Sequence, residues 1–466
     1  MQAAINELES LAYGVSLAFA SEFNGHLNRM GRPPLTVPMI YDLQTTDDPR
    51  DIVHRSVQAL VEGQVIGVPS ETVYGLVASS LCPAAVRRLA QWTAACRGWS
   101  ASSSPTGSEA SETDKVGFVA PPADAGSIAL CLRSGEAAGD FLMPMTMLAR
   151  RLSERCFPGP LTLIADCDDS VSAMSCLPES VANTLRAGAG QDTSLAGGPV
   201  AFRVSEHRLL SHIHRYLSAP LVWGEIGLPD ASPPTTAEKL QSALNAGTGD
   251  SLPLLLDDGI SRYGDEGTVV RVTGNHWHVQ RTGVIQQAAM NQFVKPVIAL
   301  VCTGNTCRSP MAETLLREAL RRKFGREDVA RVVSAGVAAG HGSGAAPQAV
   351  EVMGRRGLDL TGHASQPLEE SLMSMADLVL TMTRRHRDAI VAAWPDRAEH
   401  VFTLRRDGGD VSDPVGMPVD VYEQCADQMV SELEGWLGEL PPDFFPSDRP
   451  GEGPDDEPPQ HNVGSE

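Results

Sequence analysis

Read for apolar and polar positions alone, the chain falls into two patterned stretches. From Pro49 to about Ile285, short apolar or β-branched runs alternate with helical periodicity. Val65-Ile66-Gly67-Val68, Leu161-Thr162-Leu163-Ile164 and Gly267-Thr268-Val269-Val270 are its clearest strand candidates. A second stretch opens at Val297-Ile298-Ala299-Leu300-Val301, a continuous apolar run that predicts a strand covered on both faces. Helix and strand patterns alternate from there to about Leu440, the order of a doubly wound α/β sheet. Residues 286–295 read as a short connector between the two stretches. Residues 1–48 read as a helical or loosely ordered lead-in. Residues 98–115, rich in Ser, Thr, Glu and Gly without periodicity, read as a disordered insertion. Residues 441–466 read as an acidic, proline-rich disordered tail around Asp455-Asp456-Glu457-Pro458-Pro459. No internal repeat is visible.

Composition narrows the function classes. A length of 466 residues predicts two domains with appendages, and 42% hydrophobic with 20% charged residues describes a soluble globular protein. The formal charge of −21 argues against a general binder of nucleic acid or anionic membrane. Nine scattered cysteines do not form a disulfide framework, and Cys302 and Cys307 are spaced too widely for a zinc ribbon, so no metal is expected. The start Met1-Gln2-Ala3-Ala4-Ile5-Asn6-Glu7 lacks the basic opening of a signal peptide, and no apolar run is long enough to span a bilayer. A cytoplasmic location and no membrane partner are therefore expected.

Candidate chemistry follows directly on the buried strand of the second stretch, at Cys302-Thr303-Gly304-Asn305-Thr306-Cys307-Arg308-Ser309-Pro310. A helix pattern comes next, with Met311, Leu315, Leu316, Ala319 and Leu320 on one face and Gly325 as its stop, and with Ser309 and Pro310 as cap and first-turn residues. A loop from a parallel strand into a helix N-terminus binds anions through inward amides and the helix dipole. A cysteine there is a nucleophile, because the same field stabilises its thiolate. Arg308 can hold two phosphate oxygens at once, Gly304 and Asn305 tolerate a left-handed backbone, and the Ser309 hydroxyl can hydrogen-bond the thiolate.

This string resembles the C-x5-R-S loop of the low-molecular-weight protein tyrosine phosphatases, over roughly residues 296–440. Ser334-Ala335-Gly336, Gly362-His363-Ala364-Ser365 and Ala376-Asp377-Leu378-Val379-Leu380-Thr381-Met382 also look like that family. The resemblance implies a Rossmann-like doubly wound parallel sheet. It further implies a phosphocysteine on Cys302, a phosphate clamp at Arg308, substrate contacts from Thr303, Gly304, Asn305, Thr306, Cys307 and Ser309, and a phosphorylated protein as partner. Asp410-Val411-Ser412-Asp413-Pro414 is similar to the family's acid loop, which assigns the general acid to Asp413. Thr306 resembles the bacterial protein arginine phosphatases, and Val415-Gly416 replaces the aromatic residues that follow Asp-Pro in phosphotyrosine enzymes, so phosphoarginine is slightly favoured over phosphotyrosine. Cys307 reads equally as a packing residue or as a thiol that traps an oxidised Cys302.

In the first stretch, Gly63-Gln64-Val65-Ile66-Gly67-Val68-Pro69-Ser70-Glu71-Thr72-Val73-Tyr74-Gly75-Leu76 resembles the opening of the threonylcarbamoyl-adenylate synthases (YrdC/Sua5). Phe157-Pro158-Gly159-Pro160-Leu161-Thr162-Leu163, Phe202-Arg203-Val204, Pro234-Thr235-Thr236 and Arg281-Thr282-Gly283 continue the likeness, which implies a twisted open α/β sheet over residues 49–285. That family's phosphate-gripping Lys-x-Arg is replaced by Gln91-Trp92-Thr93-Ala94-Ala95-Cys96-Arg97-Gly98, and its Ser-x-Asn by Trp223-Gly224-Glu225. Thr72, Arg203 and Arg281 remain as candidate anion ligands, although a surface or structural role for the two arginines is favoured. The expectation is a degenerate domain fused to a phosphatase that needs no cofactor. ATP as cofactor and a tRNA-modification partner follow only if the first domain is an active synthase; a non-catalytic binding or scaffold protein is the other alternative.

Overall fold

The computed structural model describes residues 39–46, 48–97, 126–190, 197–227 and 231–447; the insertion expected at 98–115 and most of the acidic tail lie outside the described residues. The chain builds two sheets. The first unit holds β1 (Met39–Asp42), β2 (Ile66–Val68), β3 (Gly75–Ser79), β4 (Ile128–Cys131), β5 (Leu161–Cys167), β6 (Gly198–Arg203), β7 (Leu221–Gly224), β8 (Leu254–Asp257), β9 (Thr268–Thr273) and β10 (His276–Arg281). They form one mixed sheet in the order β1-β8-β2-β3-β7-β4-β6-β5-β9-β10. Both faces are covered, so alternate residues enter different cores. Leu130 and Val222 pack with Leu163 and Phe202 on one face. Cys131, Leu221 and Trp223 pack with Val77 and Leu254 on the other.

The second unit holds β11 (Val297–Cys302), β12 (Arg331–Gly336), β13 (Leu378–Thr381) and β14 (Val401–Thr403), all parallel in the order β12-β11-β13-β14. Every residue of β11 is buried, because the strand is paired on both edges and covered on both faces. Below it, Leu300 packs with Leu315, Leu316 and Leu320 of the Arg308–Phe324 helix and with Met429 and Leu433 of the Val419–Glu439 helix. Above it, Ala299 and Val301 meet Val379, Met373 and Ile390. This packing delivers Cys302 to the C-terminal edge of the sheet, where helix N-termini converge.

The structure departs from the sequence reading at four places. Met39–Asp42 is a strand within the expected lead-in: β1 pairs parallel with β8 at the sheet edge. Met39 and Ile40 stay exposed there, so no alternation betrays the strand. The 286–295 connector contains a helix, Gln287–Phe293, whose Met290 is buried in the first core. The second unit runs past Leu440, because Phe444 is buried in its core. Its first helix begins at Arg308 without a side-chain cap, which moves Ser309 and Pro310 inside the first turn. The helix ends as expected at Gly325, with φ 76°. Among the described residues no helix is long and apolar enough to cross a membrane.

Candidate active site

The loop between β11 and the Arg308–Phe324 helix closes around the Cys302 sulfur. Asn305 has φ 53°, the only left-handed backbone among the described non-glycine residues; Gly304, expected to share that role, is not left-handed. The turn aims the Asn305 N–H at Cys302 Sγ, 3.2 Å away. The Asn305 side chain is locked in turn: its Nδ2 donates to Ser309 Oγ (3.0 Å) and Ser334 Oγ (2.9 Å), and its Oδ1 accepts from the Gln366 N–H (2.9 Å). Its carbonyl, which can only accept, takes a 2.7 Å hydrogen bond from His363 Nε2, so that nitrogen carries a proton. Ser309 Oγ lies 3.0 Å from Cys302 Sγ and 3.3 Å from the Ala335 carbonyl. Ser309 accepts from Asn305, and its single proton is shared between the Ala335 carbonyl and the shorter contact to the sulfur.

Gly336 closes the loop from below. A Cβ there would come within 2.5 Å of the Thr303 carbonyl oxygen and 2.9 Å of the Asn305 nitrogen, so only glycine fits. On the other side, Thr303 Oγ1 and His386 Nε2 are 2.8 Å apart. Burial, and then the nearby Arg308 charge, push the His386 imidazole below its ordinary range.

Arg308 is buried under the loop. Its NH2 donates to Asp413 Oδ2 at 2.5 Å and its NH1 to the Val411 carbonyl at 3.2 Å. The Asp413 side chain is 49% exposed, so the acid loop meets solvent just above the guanidinium. The Cys307 sulfur lies 3.5 Å from the Tyr422 hydroxyl and 3.7 Å from Thr306 Oγ1. The Cys425 thiol points at the Ser412 carbonyl, and burial pushes it up to about 11.

Residues 297–444 match the family described as low molecular weight phosphotyrosine protein phosphatase. A protein-arginine-phosphatase of Bacillus subtilis (strain 168) is 43% identical over 147 residues, which cover 31% of this chain and 93% of that protein. The chain belongs to the low molecular weight phosphatase family. The "Probable low molecular weight protein-tyrosine-phosphatase EpsP" of Ralstonia nicotianae is 36% identical over 141 residues, covering 30% of this phosphatase and 92% of that protein. A solved structure of a YwlE mutant from Bacillus subtilis aligns at 39% identity over 31% of this chain and 98% of that one, with a TM-score of 0.29. Residues 124–283 of the phosphatase match the Sua5/YciO/YrdC family, described as telomere recombination.

The phosphatase therefore holds Cys302, Asn305, Arg308, Ser309 and Asp413 together, with Thr303 and Thr306 on the loop's rim. The first unit brings its candidates together differently. Thr72 is fully buried, with its hydroxyl 3.0 Å from Ser70 Oγ. Arg203 is buried rather than on the surface: it donates to Glu71 Oε1 at 3.1 Å, and its guanidinium carbon lies 4.2 Å from the Trp223 ring centroid. Arg281 donates to Glu225 Oε2 at 2.6 Å, and Arg97 approaches the same oxygen to 3.7 Å. Glu266 stands 3.4 Å from Arg281 and 3.8 Å from Arg97.

Sequence reasoning placed no role on Ser334, His363, Gln366 or His386. The first two sit in stretches recognised as family-like, so a signal existed for them. Gln366 and His386 are single residues distant from the loop, and only the fold brings them to it.

His386 gives a pH test. Its folded imidazole binds a proton less readily than a free one, so the unfolded chain takes up the extra proton. Its stabilising contribution is complete above about pH 6.5 and is lost as pH falls through the lower folded value. His386→Gln should lose less melting temperature than wild type between neutral and mildly acidic pH, measured by thermal denaturation. Parallel pH profiles for the two proteins would contradict this.

Proposed function

We propose that this phosphatase hydrolyses phosphorylated protein side chains through a phosphocysteine, and that phosphoarginine is its preferred substrate over phosphotyrosine. The observation that carries the mechanism is the Cys302 sulfur, held between the Asn305 N–H and the Ser309 hydroxyl on the loop that ends at buried Arg308. Anionic sulfur attacks phosphorus while the bond from phosphorus to the leaving nitrogen or oxygen breaks. The loop amides and the Arg308 guanidinium take the charge on the non-bridging oxygens, so the reading calls for no metal. Phosphoryl oxygens replace Asp413 on Arg308, and the released, half-exposed Asp413 carboxylate takes a proton from solvent, which it gives to the leaving group. The resulting carboxylate then takes a proton from water as that water attacks the phosphocysteine. Cys302 leaves as a thiolate, stabilised by Ser309, and inorganic phosphate departs.

The substrate preference is supported by three features. Thr306 places a hydroxyl on the rim in place of an apolar side chain. The acid loop presents Val415 (62% exposed) and Met417 as an aliphatic rather than aromatic wall, which suits a methylene stem. A protein named protein-arginine-phosphatase shares 43% identity across this unit. All nine cysteines are free thiols, which fits a reducing cytoplasm where Cys302 stays active.

The direct test is hydrolysis of p-nitrophenyl phosphate, a phosphotyrosine peptide and a phosphoarginine protein by wild type and Cys302→Ser. The reading expects loss of turnover in the variant and the highest kcat/KM on phosphoarginine protein. Equal turnover by the variant would remove Cys302 from the mechanism, and a phosphotyrosine preference would reassign the rim. Asp413→Asn should slow poor leaving groups by about 100-fold while sparing p-nitrophenyl phosphate, the size expected for one general acid. A uniform small loss would place the acid elsewhere.

For the first unit we infer that nucleotide binding has been lost. Glu225 supplies a carboxylate where Arg281 and Arg97 would meet a phosphate, and at 2% exposure it is not readily displaced. An incoming triphosphate meets two carboxylates, Glu225 and Glu266, beside those arginines. Titration calorimetry of the full chain with ATP and threonine should show no saturable heat. Saturable ATP binding would restore the synthase reading and its tRNA pathway.

A further inference from the structure

The first unit carries a feature that neither phosphate chemistry nor nucleotide binding uses. The helix Met147–Cys156 projects Arg151 and Arg155 into the N-terminal end of the phosphatase sheet, opposite the edge that holds Cys302. Both meet Asp377, the residue just before β13. Arg151 Nε donates to Oδ1 at 2.7 Å and Arg155 NH2 to Oδ2 at 2.6 Å. The same Oδ2 accepts the N–H of Val297, the first residue of β11, at 2.7 Å.

Further guanidinium donors go to backbone carbonyls around this point. Arg151 reaches Val294 (2.8 Å) and Phe444 (3.1 Å). Arg155 reaches Phe293, Lys295 and Met375, each at 2.7 Å. Arg397 answers from the phosphatase, donating to the Ala376 carbonyl at 2.7 Å and to Glu154 at 3.3 Å. The Arg151 side chain is only 1% exposed and Asp377 only 12%. Met147 of the same helix packs against the phosphatase core.

Two buried guanidiniums can stay out of water only while these acceptors are in place. Their forked geometry demands one relative placement of the two units, which lysine could not impose. The gripped points are the starts of β11 and β13 and the connecting and C-terminal segments, so neither phosphatase strand can open without exposing the pair.

We infer that the first unit serves as a clamp on the phosphatase: Arg151 and Arg155, closed on Asp377, make two family folds one cooperative body. This gives the first unit a task that does not depend on substrate, and it stands whichever phosphoryl group the active site prefers.

The test is equilibrium urea unfolding of the full chain, followed by hydrogen-exchange mass spectrometry of β5 and β6 in the first unit and β11 and β13 in the second. Wild type should lose protection in all four strands at one urea concentration. In Arg151→Met/Arg155→Met the two pairs of strands should separate by about 1 M urea. Turnover of p-nitrophenyl phosphate in the absence of urea should stay at the wild-type level, because the clamp lies at the far end of β11. Should the double variant fail to fold, Asp377→Asn, which keeps size and acceptor oxygen but removes the charge, should separate the pairs in the same sense. Separate midpoints in wild type overturn the inference, as does a single shared midpoint in a folded variant.

Discussion

The phosphatase depends on one backbone constraint: a loop of the chain must turn its N–H groups inward at the head of a helix. Asn305 makes that turn by adopting φ 53°, and the cost of a left-handed asparagine, of order 1 kcal/mol or more, is offset by hydrogen bonds from three separate segments. Ser334 arrives from β12, His363 and Gln366 from the segment before β13, and Ser309 from the helix itself. Gly336 must lack a side chain for the loop to sit down on the sheet. The Cys302 sulfur is thus the visible end of a frame that spans most of the unit. Catalytic geometry and folding stability rest on the same contacts.

The two units show opposite treatments of buried arginine. Arg308 is paired with a half-exposed carboxylate on a loop, a partner that an arriving dianion can replace. Arg281 is paired with a fully buried one, and exchange there would strand Glu225 without its cation. Arg151 and Arg155 represent a third case, in which the partner belongs to the other unit and exchange would mean separating the two. Exposure of the acceptor, more than the presence of arginine, decides which of these sites can bind a ligand.

Much of this was legible in the residues. The loop from Cys302 to Ser309 is contiguous, follows a strand buried on both faces, and states its chemistry locally; the Asp413 loop follows from the family likeness. What was hidden depends on tertiary pairing. Ser309 was read both as a helix cap and as a partner of the thiolate; the helix starts at Arg308, which leaves it only the second role. Met39–Asp42 is an exposed edge strand whose only evidence is its partner, β8. Arg151 and Arg155 drew no expectation from the sequence, since nothing near them announces Asp377. Glu225 was visible as a departure from its family, but its capture of Arg281 needed the fold.

The most direct measurement is rapid acid quench of the enzyme during turnover of a phosphoarginine protein, with mass spectrometry to locate any phosphoryl group on the chain. The account predicts a transient phosphoryl adduct on Cys302 that forms and decays at rates consistent with kcat. Turnover without an adduct on Cys302, or with the phosphoryl group on another residue, would contradict it.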